Sequence, residues 1–159
     1  MSKINFTETL ILTGIEAKTN MEVLQCMAAN LCEQGMVKES YKQAIKDREN
    51  NFATGLPTAS VGVAIPHTDI EHVNQAAISV GVLKEEVNFG IMGEEESTVP
   101  VKVVFMLAMK ESHAQLELLQ KLMQIFQDES ALTTLATAAS KTVIRELVSA
   151  KLGLEGGEE

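Results

Sequence analysis

Three side chains have types and settings suited to handling a phosphoryl group: His67, His113 and Arg48. His67 closes the run Ser60-Val61-Gly62-Val63-Ala64-Ile65-Pro66-His67. Small and β-branched residues there predict a strand. Pro66 stops it, because proline fixes φ and has no N–H for the ladder. A residue on the loop just past a strand end is where α/β architectures commonly place chemistry. Neutral imidazole is a good nucleophile near pH 7, and a phosphoryl group on its ring nitrogen stays reactive because the leaving imidazole is stable. The plainer reading is a surface or hydrogen-bonded polar histidine.

Ser112-His113-Ala114-Gln115 reads as a capping box, which puts His113 at the first helical position. Free N–H groups and the helix dipole favour an anion there and disfavour an imidazolium. His113 would then stay neutral and donate a hydrogen bond, although an ordinary first-turn residue fits the same spacing. Arg48 offers a planar fork for phosphate oxygens; as a cation in the last turn of a helix it also simply suits the dipole. His72, five residues after His67, has no evident partner and reads as a surface residue.

The elements that must position these groups follow from patterning. Leu10 to Leu12 predicts a short first strand. Thr19 and Glu22 form a capping box before a helix whose inward stripe is Leu24, Met27, Ala28 and Leu31, closed by Gly35. A second helix is predicted over Lys38 to Asn50, with Tyr41, Ala44 and Ile45 inward, then a loop to Ala59. Strands follow at 61–65, at 76–83 and at 101–109, the last apolar enough to be buried on both faces. The acidic stretch Lys84 to Ser97 reads as a surface excursion. Thr68 to Gln75 is short for a helical crossover, so the first two of these strands are expected to run antiparallel. Three helices close the chain: one inward through Leu116, Leu119, Leu122, Met123 and Phe126; one begun by Asp128 and Ser130, inward through Leu132, Leu135 and Ala136; and one capped by Ser140, inward through Val143, Ile144, Leu147 and Val148, ending at Gly153. Helices on both sides of one mixed sheet give a single-domain α/β fold over residues 5–152, with 153–159 a disordered tail.

Composition narrows the functional classes. The 159 residues suffice for one core. A net charge of −9, no Trp and a single Tyr argue against nucleic acid and anionic membrane as partners. Cys26 and Cys32, six apart on one helix, fall on different faces and read as buried free thiols. The N-terminus lacks the apolar core of a signal peptide, and the longest apolar run, Val103 to Met109, is too short for a bilayer span. A cytosolic protein is expected.

Taken together, Arg48-Glu49, Thr54-Gly55 and Val63-Ala64-Ile65-Pro66-His67 resemble the enzyme IIA domain of the sugar phosphotransferase system, fructose/mannitol type, and Ser112-His113-Ala114-Gln115-Leu116-Glu117-Leu118-Leu119 resembles that family's second histidine motif. The resemblance spans Asn5 to Leu152. Arg48 to Leu56, with Phe52-Ala53-Thr54-Gly55 after Arg-Glu, looks most like the galactitol-type branch. Thr68-Asp69 departs from it, since many members have Gly after His. The resemblance implies a three-layer αβα fold. It implies that His67 is phosphorylated by the phosphocarrier protein HPr and passes the group to an enzyme IIB, which serves a IIC membrane subunit. Arg48 and His113 would hold the phosphate oxygens, with helix N–H groups near Ser112 adding to them, and neither metal nor other cofactor is needed. The sugar is not readable, because in this family the membrane subunit selects it.

Three rival readings make different forecasts. A regulatory IIA would signal by protein contact and feed no transporter. A zinc module using His67, His72 and His113 would lack the fourth ligand at close spacing that such sites usually have. A binding or structural module would take up no phosphate.

Overall fold

The computed structural model describes residues 4–138 and 140–154. The chain order is β1 (Ile11–Ile15), α1 (Asn20–Glu33), α2 (Ser40–Asn51), β2 (Gly55–Leu56), β3 (Gly62–Ala64), β4 (Ala77–Ile91), β5 (Glu94–Ala108), α3 (Ser112–Phe126), α4 (Glu129–Thr137) and α5 (Lys141–Leu152), with single 3-10 turns at Glu8–Leu10 and Ile70–His72. β4 and β5 form a long antiparallel hairpin. β1 lies parallel to β4, and β3 parallel to β5. The short β2 pairs antiparallel with β3 and touches the far end of β4 at Ile91. β4, β5, β3 and β2 thus pair in a closed circuit.

The strands divide their side chains between two cores. Ile78, Val80, Val82, Val103, Phe105 and Leu107 face α3, α4 and α5. Ala77, Leu83, Val101, Val104, Met106 and Ala108 face α1 and α2. Successive strand residues point to opposite faces, so an unbroken apolar run such as Val103 to Met109 feeds both. The expected mixed sheet between two helical layers is what the chain forms.

Several local expectations needed correction. The stretch 84–97 is not an excursion but most of the hairpin: Val87 and Phe89 are buried, and the chain turns at Met92-Gly93. The pattern was masked because β4 takes five steps between Val82 and Val87 where β5 takes two, so Lys84-Glu85-Glu86 bulges out, exposed. The predicted antiparallel neighbours β3 and β4 do run oppositely, but β5 lies between them. In α3 the buried stripe is Leu118, Leu122, Ile125 and Phe126, and in α5 it is Ile144, Val148 and Leu152; Leu116, Met123 and Val143 are exposed. Residues 51–59, expected to be all loop, include β2. Cys26 is exposed and Cys32 half-exposed, so the thiols are free but not buried. α1 starts at its predicted cap, with Glu22 N–H donating to Thr19 Oγ1 at 3.2 Å. Of the predicted tail, Gly153 ends α5 in the left-handed region and Leu154 N–H donates to Ser149 O; 155–159 lie outside the described residues. No helix among the described residues is long and apolar enough to cross a membrane.

Gly62 is a close-approach position. A Cβ there would stand 2.0 Å from the Pro100 carbonyl oxygen of the paired strand. That contact is with backbone, so one strand has to move. Gly62→Ala is expected to destabilise the fold by roughly 2–4 kcal/mol, read as a lower urea midpoint; an unchanged midpoint contradicts the packing described.

Candidate functional site

The site lies at the carboxyl ends of two neighbouring parallel strands, β3 and β5, the position where open α/β sheets expose loops to ligands. β3 is regular only to Ala64, but its pairing continues. Leu107 N–H donates to Pro66 O at 3.0 Å, since proline lacks a donor yet keeps its acceptor. The same Leu107 offers its carbonyl to the Tyr41 hydroxyl, 2.7 Å away and buried. One residue of β5, through the two peptide groups that flank it, therefore fixes both the exit of β3 and the underside of α2. Burial pushes the Tyr41 hydroxyl far above the ordinary phenol range, so it stays a donor.

His67 follows immediately, half-buried. Its Nδ1 lies 2.8 Å from Ile65 O. A carbonyl oxygen only accepts, so Nδ1 carries the proton and the lone pair sits on Nε2. Burial lowers the pKa of this ring and the Arg48 guanidinium lowers it further, against the opposing effect of the Ile65 carbonyl. The neutral ring is thereby favoured. The sign has two consequences. Nucleophilic capacity persists below the ordinary histidine range near pH 6.5 and falls only as pH passes the depressed value. Between those two values the unfolded chain binds more protons than the folded one, so stability drops as pH falls. An NMR titration of the His67 ring is expected to give a midpoint below 6.5 that rises in Arg48→Gln; a midpoint at or above 6.5 contradicts this geometry.

Arg48 reaches this place from the last turn of α2, as predicted, and the neighbouring Glu49 explains how. Glu49 is buried, and its carboxylate accepts from Thr54 N–H at 2.8 Å and from Thr54 Oγ1 at 2.9 Å. Burial raises the Glu49 pKa, while the Thr54 bonds and Arg48 oppose that. Thr54 immediately precedes Gly55, which pairs with Ala64 of β3. The carboxylate thus ties the end of α2 to the strand beside His67. This structural part had not been assigned to Glu49 from sequence, although the residue stands inside the Arg48-Glu49 motif. Phe52, which the sequence offers only as part of the galactitol-like stretch, meets the guanidinium: the Arg48 Cζ lies 4.6 Å from its ring centroid.

The second histidine is placed differently from expectation. α3 is capped by Glu111 without a side-chain bond, and Ser112 is its first residue, so the Ser112–Gln115 capping box does not form. Glu111 already has the extended backbone of a cap, and the helix starts one residue early. His113 is therefore the second helical residue. Its side chain is 82% exposed, with Nε2 3.5 Å from Glu117 Oε2 one turn on. Ser112 is exposed at the helix start. α3 begins just after β5, so both residues share the His67 end of the sheet, but among the described residues no hydrogen bond or ion pair joins them to His67 or Arg48. The structure brings together His67 and Arg48; His113 stands at the rim.

His72 is not the plain surface residue expected. Its Nδ1 lies 2.8 Å from Ser40 Oγ, and its carbonyl accepts from Lys38 N–H at 2.9 Å. With Lys38 Nζ on Glu71 O, these bonds strap the loop after His67 to the start of α2. Among the described residues no three His, Cys, Asp or Glu side chains converge on a point that could hold a metal ion.

Comparison with known proteins bears on the family and the fold. The family model described as "Phosphoenolpyruvate-dependent sugar phosphotransferase system, EIIA 2" matches residues 4–151. The galactitol-specific EIIA component of Escherichia coli K12 is 28% identical over 131 residues, 82% of this chain and 87% of that protein. The crystal structure of IIA mannitol from E. coli superposes with a TM-score of 0.74 at 24% identity, covering 94% of this chain and 99% of that one, a likeness of fold. The NMR complex of enzyme IIAMTL with phosphorylated enzyme IIBMTL, also from E. coli, matches with a TM-score of 0.73 at 25% identity, over 94% of this chain and 98% of that one.

Proposed function

Because this chain belongs to the EIIA 2 family of the phosphoenolpyruvate-dependent sugar phosphotransferase system, we propose that it is a phosphoryl carrier, taking the group from phosphorylated HPr onto His67 and giving it to a IIB component. The observation that carries this reading is the Nδ1 bond to Ile65 O, which leaves Nε2 as the free nucleophile beside Arg48. Nε2 attacks phosphorus in line. The new bond is Nε2–P; the bond that breaks joins phosphorus to the donor imidazole, which leaves with the electron pair. Nδ1 keeps its proton throughout, and its bond to Ile65 O supports the positive charge that arises on the ring. Handing the group on to IIB reverses these roles.

Such transfers pass through a loose transition state with charge on the equatorial oxygens, so the protein's contribution is positioning and electrostatics. Arg48 supplies the cation. His113 joins the oxygens by turning away from Glu117, a rotamer change that an exposed side chain makes readily, and the first N–H groups of α3 at Ser112 add to it. No metal or nucleotide takes part when both donor and acceptor are phosphoproteins. Exposed Ile70 and Leu116 near the site, with Asp69 and Glu71 exposed on the His67 loop, are the apolar centre and charged rim of the docking face. The chain works in the cytoplasm and meets the IIC membrane subunit only through IIB. Its likeness to galactitol-specific relatives favours galactitol or a related polyol as the transported sugar.

The test is incubation of the chain with phosphorylated HPr. An acid-labile, base-stable phosphate marks an N–P bond, and its loss in His67→Ala locates it. A chain that takes up no phosphate is not a carrier.

A further inference from the structure

We propose that Phe52 is a positioning residue for the transfer: its ring face holds the Arg48 guanidinium in place beside His67 while leaving its charge and N–H edges free for phosphoryl oxygens. This rests on the phosphoryl-transfer reading above.

The Arg48 Cζ stands 4.6 Å from the Phe52 ring centroid, within the distance at which a ring face attracts a cation. Among the described residues no carboxylate lies within ion-pair distance of Arg48. The nearest in sequence, Glu49, has its oxygens occupied by Thr54. Arg48 Nε is buried without a hydrogen-bond partner. The charge is therefore not neutralised, but no carboxylate fixes its direction either. A carboxylate partner would fix it only by occupying the N–H fork that the phosphoryl oxygens need. Stacking orients the planar ion and uses none of its donors.

The backbone builds the pair. Phe52 N–H donates to Arg48 O at 2.7 Å as the closing bond of α2, and Phe52 then leaves the helix at φ −139° and ψ 89°. The four-residue spacing brings the ring back over the preceding turn. Phe52 is also 61% exposed, so it is not a core residue. Its contact with Arg48 is the interaction that distinguishes it from any other exposed side chain at that helix end.

The experiment measures single-turnover transfer from phosphorylated HPr to the full chain for wild type, Phe52→Leu, Phe52→Tyr, Arg48→Ala and the double variant Arg48→Ala/Phe52→Leu. The His67 ring is titrated by NMR in each. Phe52→Leu is expected to slow transfer about 3- to 30-fold. Phe52→Tyr, which keeps a ring face, stays within about 2-fold. On the Arg48→Ala background Phe52→Leu adds nothing, because the group it acts through is gone. The His67 midpoint in Phe52→Leu moves upward, toward that of Arg48→Ala, as the guanidinium wanders from the ring. A Phe52→Leu loss that is equal on both backgrounds, or no loss with an unmoved midpoint, overturns the proposal while the carrier reading survives. A wild-type chain that is never labelled overturns the carrier reading, and this proposal with it.

Discussion

His67→Asn is expected to abolish phosphate uptake from phosphorylated HPr, with no residual label at His72 or His113. Asparagine places an amide nitrogen near the position of Nδ1, so the bond to Ile65 O can persist while the nucleophile is deleted. The loss is therefore chemical, and thermal unfolding should move little. The other two rings are not substitutes. His72 is engaged at Ser40, and His113 is exposed at the start of α3 with its ring beside Glu117. Labelling of His67→Asn at even a few per cent of the wild-type rate would transfer the nucleophile's role to another residue.

Arg48→Lys gives the second largest effect, a transfer rate about 10- to 100-fold lower with His67 still labelled after long incubation. Lysine keeps the charge but loses both the planar fork and the flat face that stacks on Phe52. The defect belongs to the rate of phosphoryl movement, so the final extent of labelling at saturating donor should approach that of the wild type. A single-turnover time course separates the two. Transfer at the wild-type rate removes Arg48 from the clamp.

How far the sequence alone carried this picture depends on whether the signal was local. His67 was legible because Pro66 marks the strand exit within one residue, and Arg48 because a helix end and a following turn are both readable. The two layers were legible because the inward stripes of α1 and α4 follow helical period. The hairpin was not: the three-residue bulge at Lys84-Glu85-Glu86 breaks the alternation that joins Val82 to Val87, and only the pairing with β5 shows that the two halves are one strand. The start of α3 slipped by one residue because Ser112 and Gln115 have the right types for a capping box, whereas Glu111 has the right backbone. The parts played by Glu49, Phe52 and His72 depend on partners brought together by the fold, Thr54, Arg48 and Ser40, and no periodicity announces them.

The closed circuit of β2, β3, β5 and β4 also bears on how the protein keeps to itself. Within that ring every strand has a neighbour on each side over part of its length, and β1, outermost in the sheet, has an outer flank without a strand partner among the described residues. That flank is blunted. Between Leu12 and Ile15 the strand carries one residue more than β4 opposite it, and Gly14 sits there at φ +64°, a conformation that bends the ribbon away from flatness. A bent, interrupted flank of this kind is a poor template for edge-to-edge pairing with other copies of the chain.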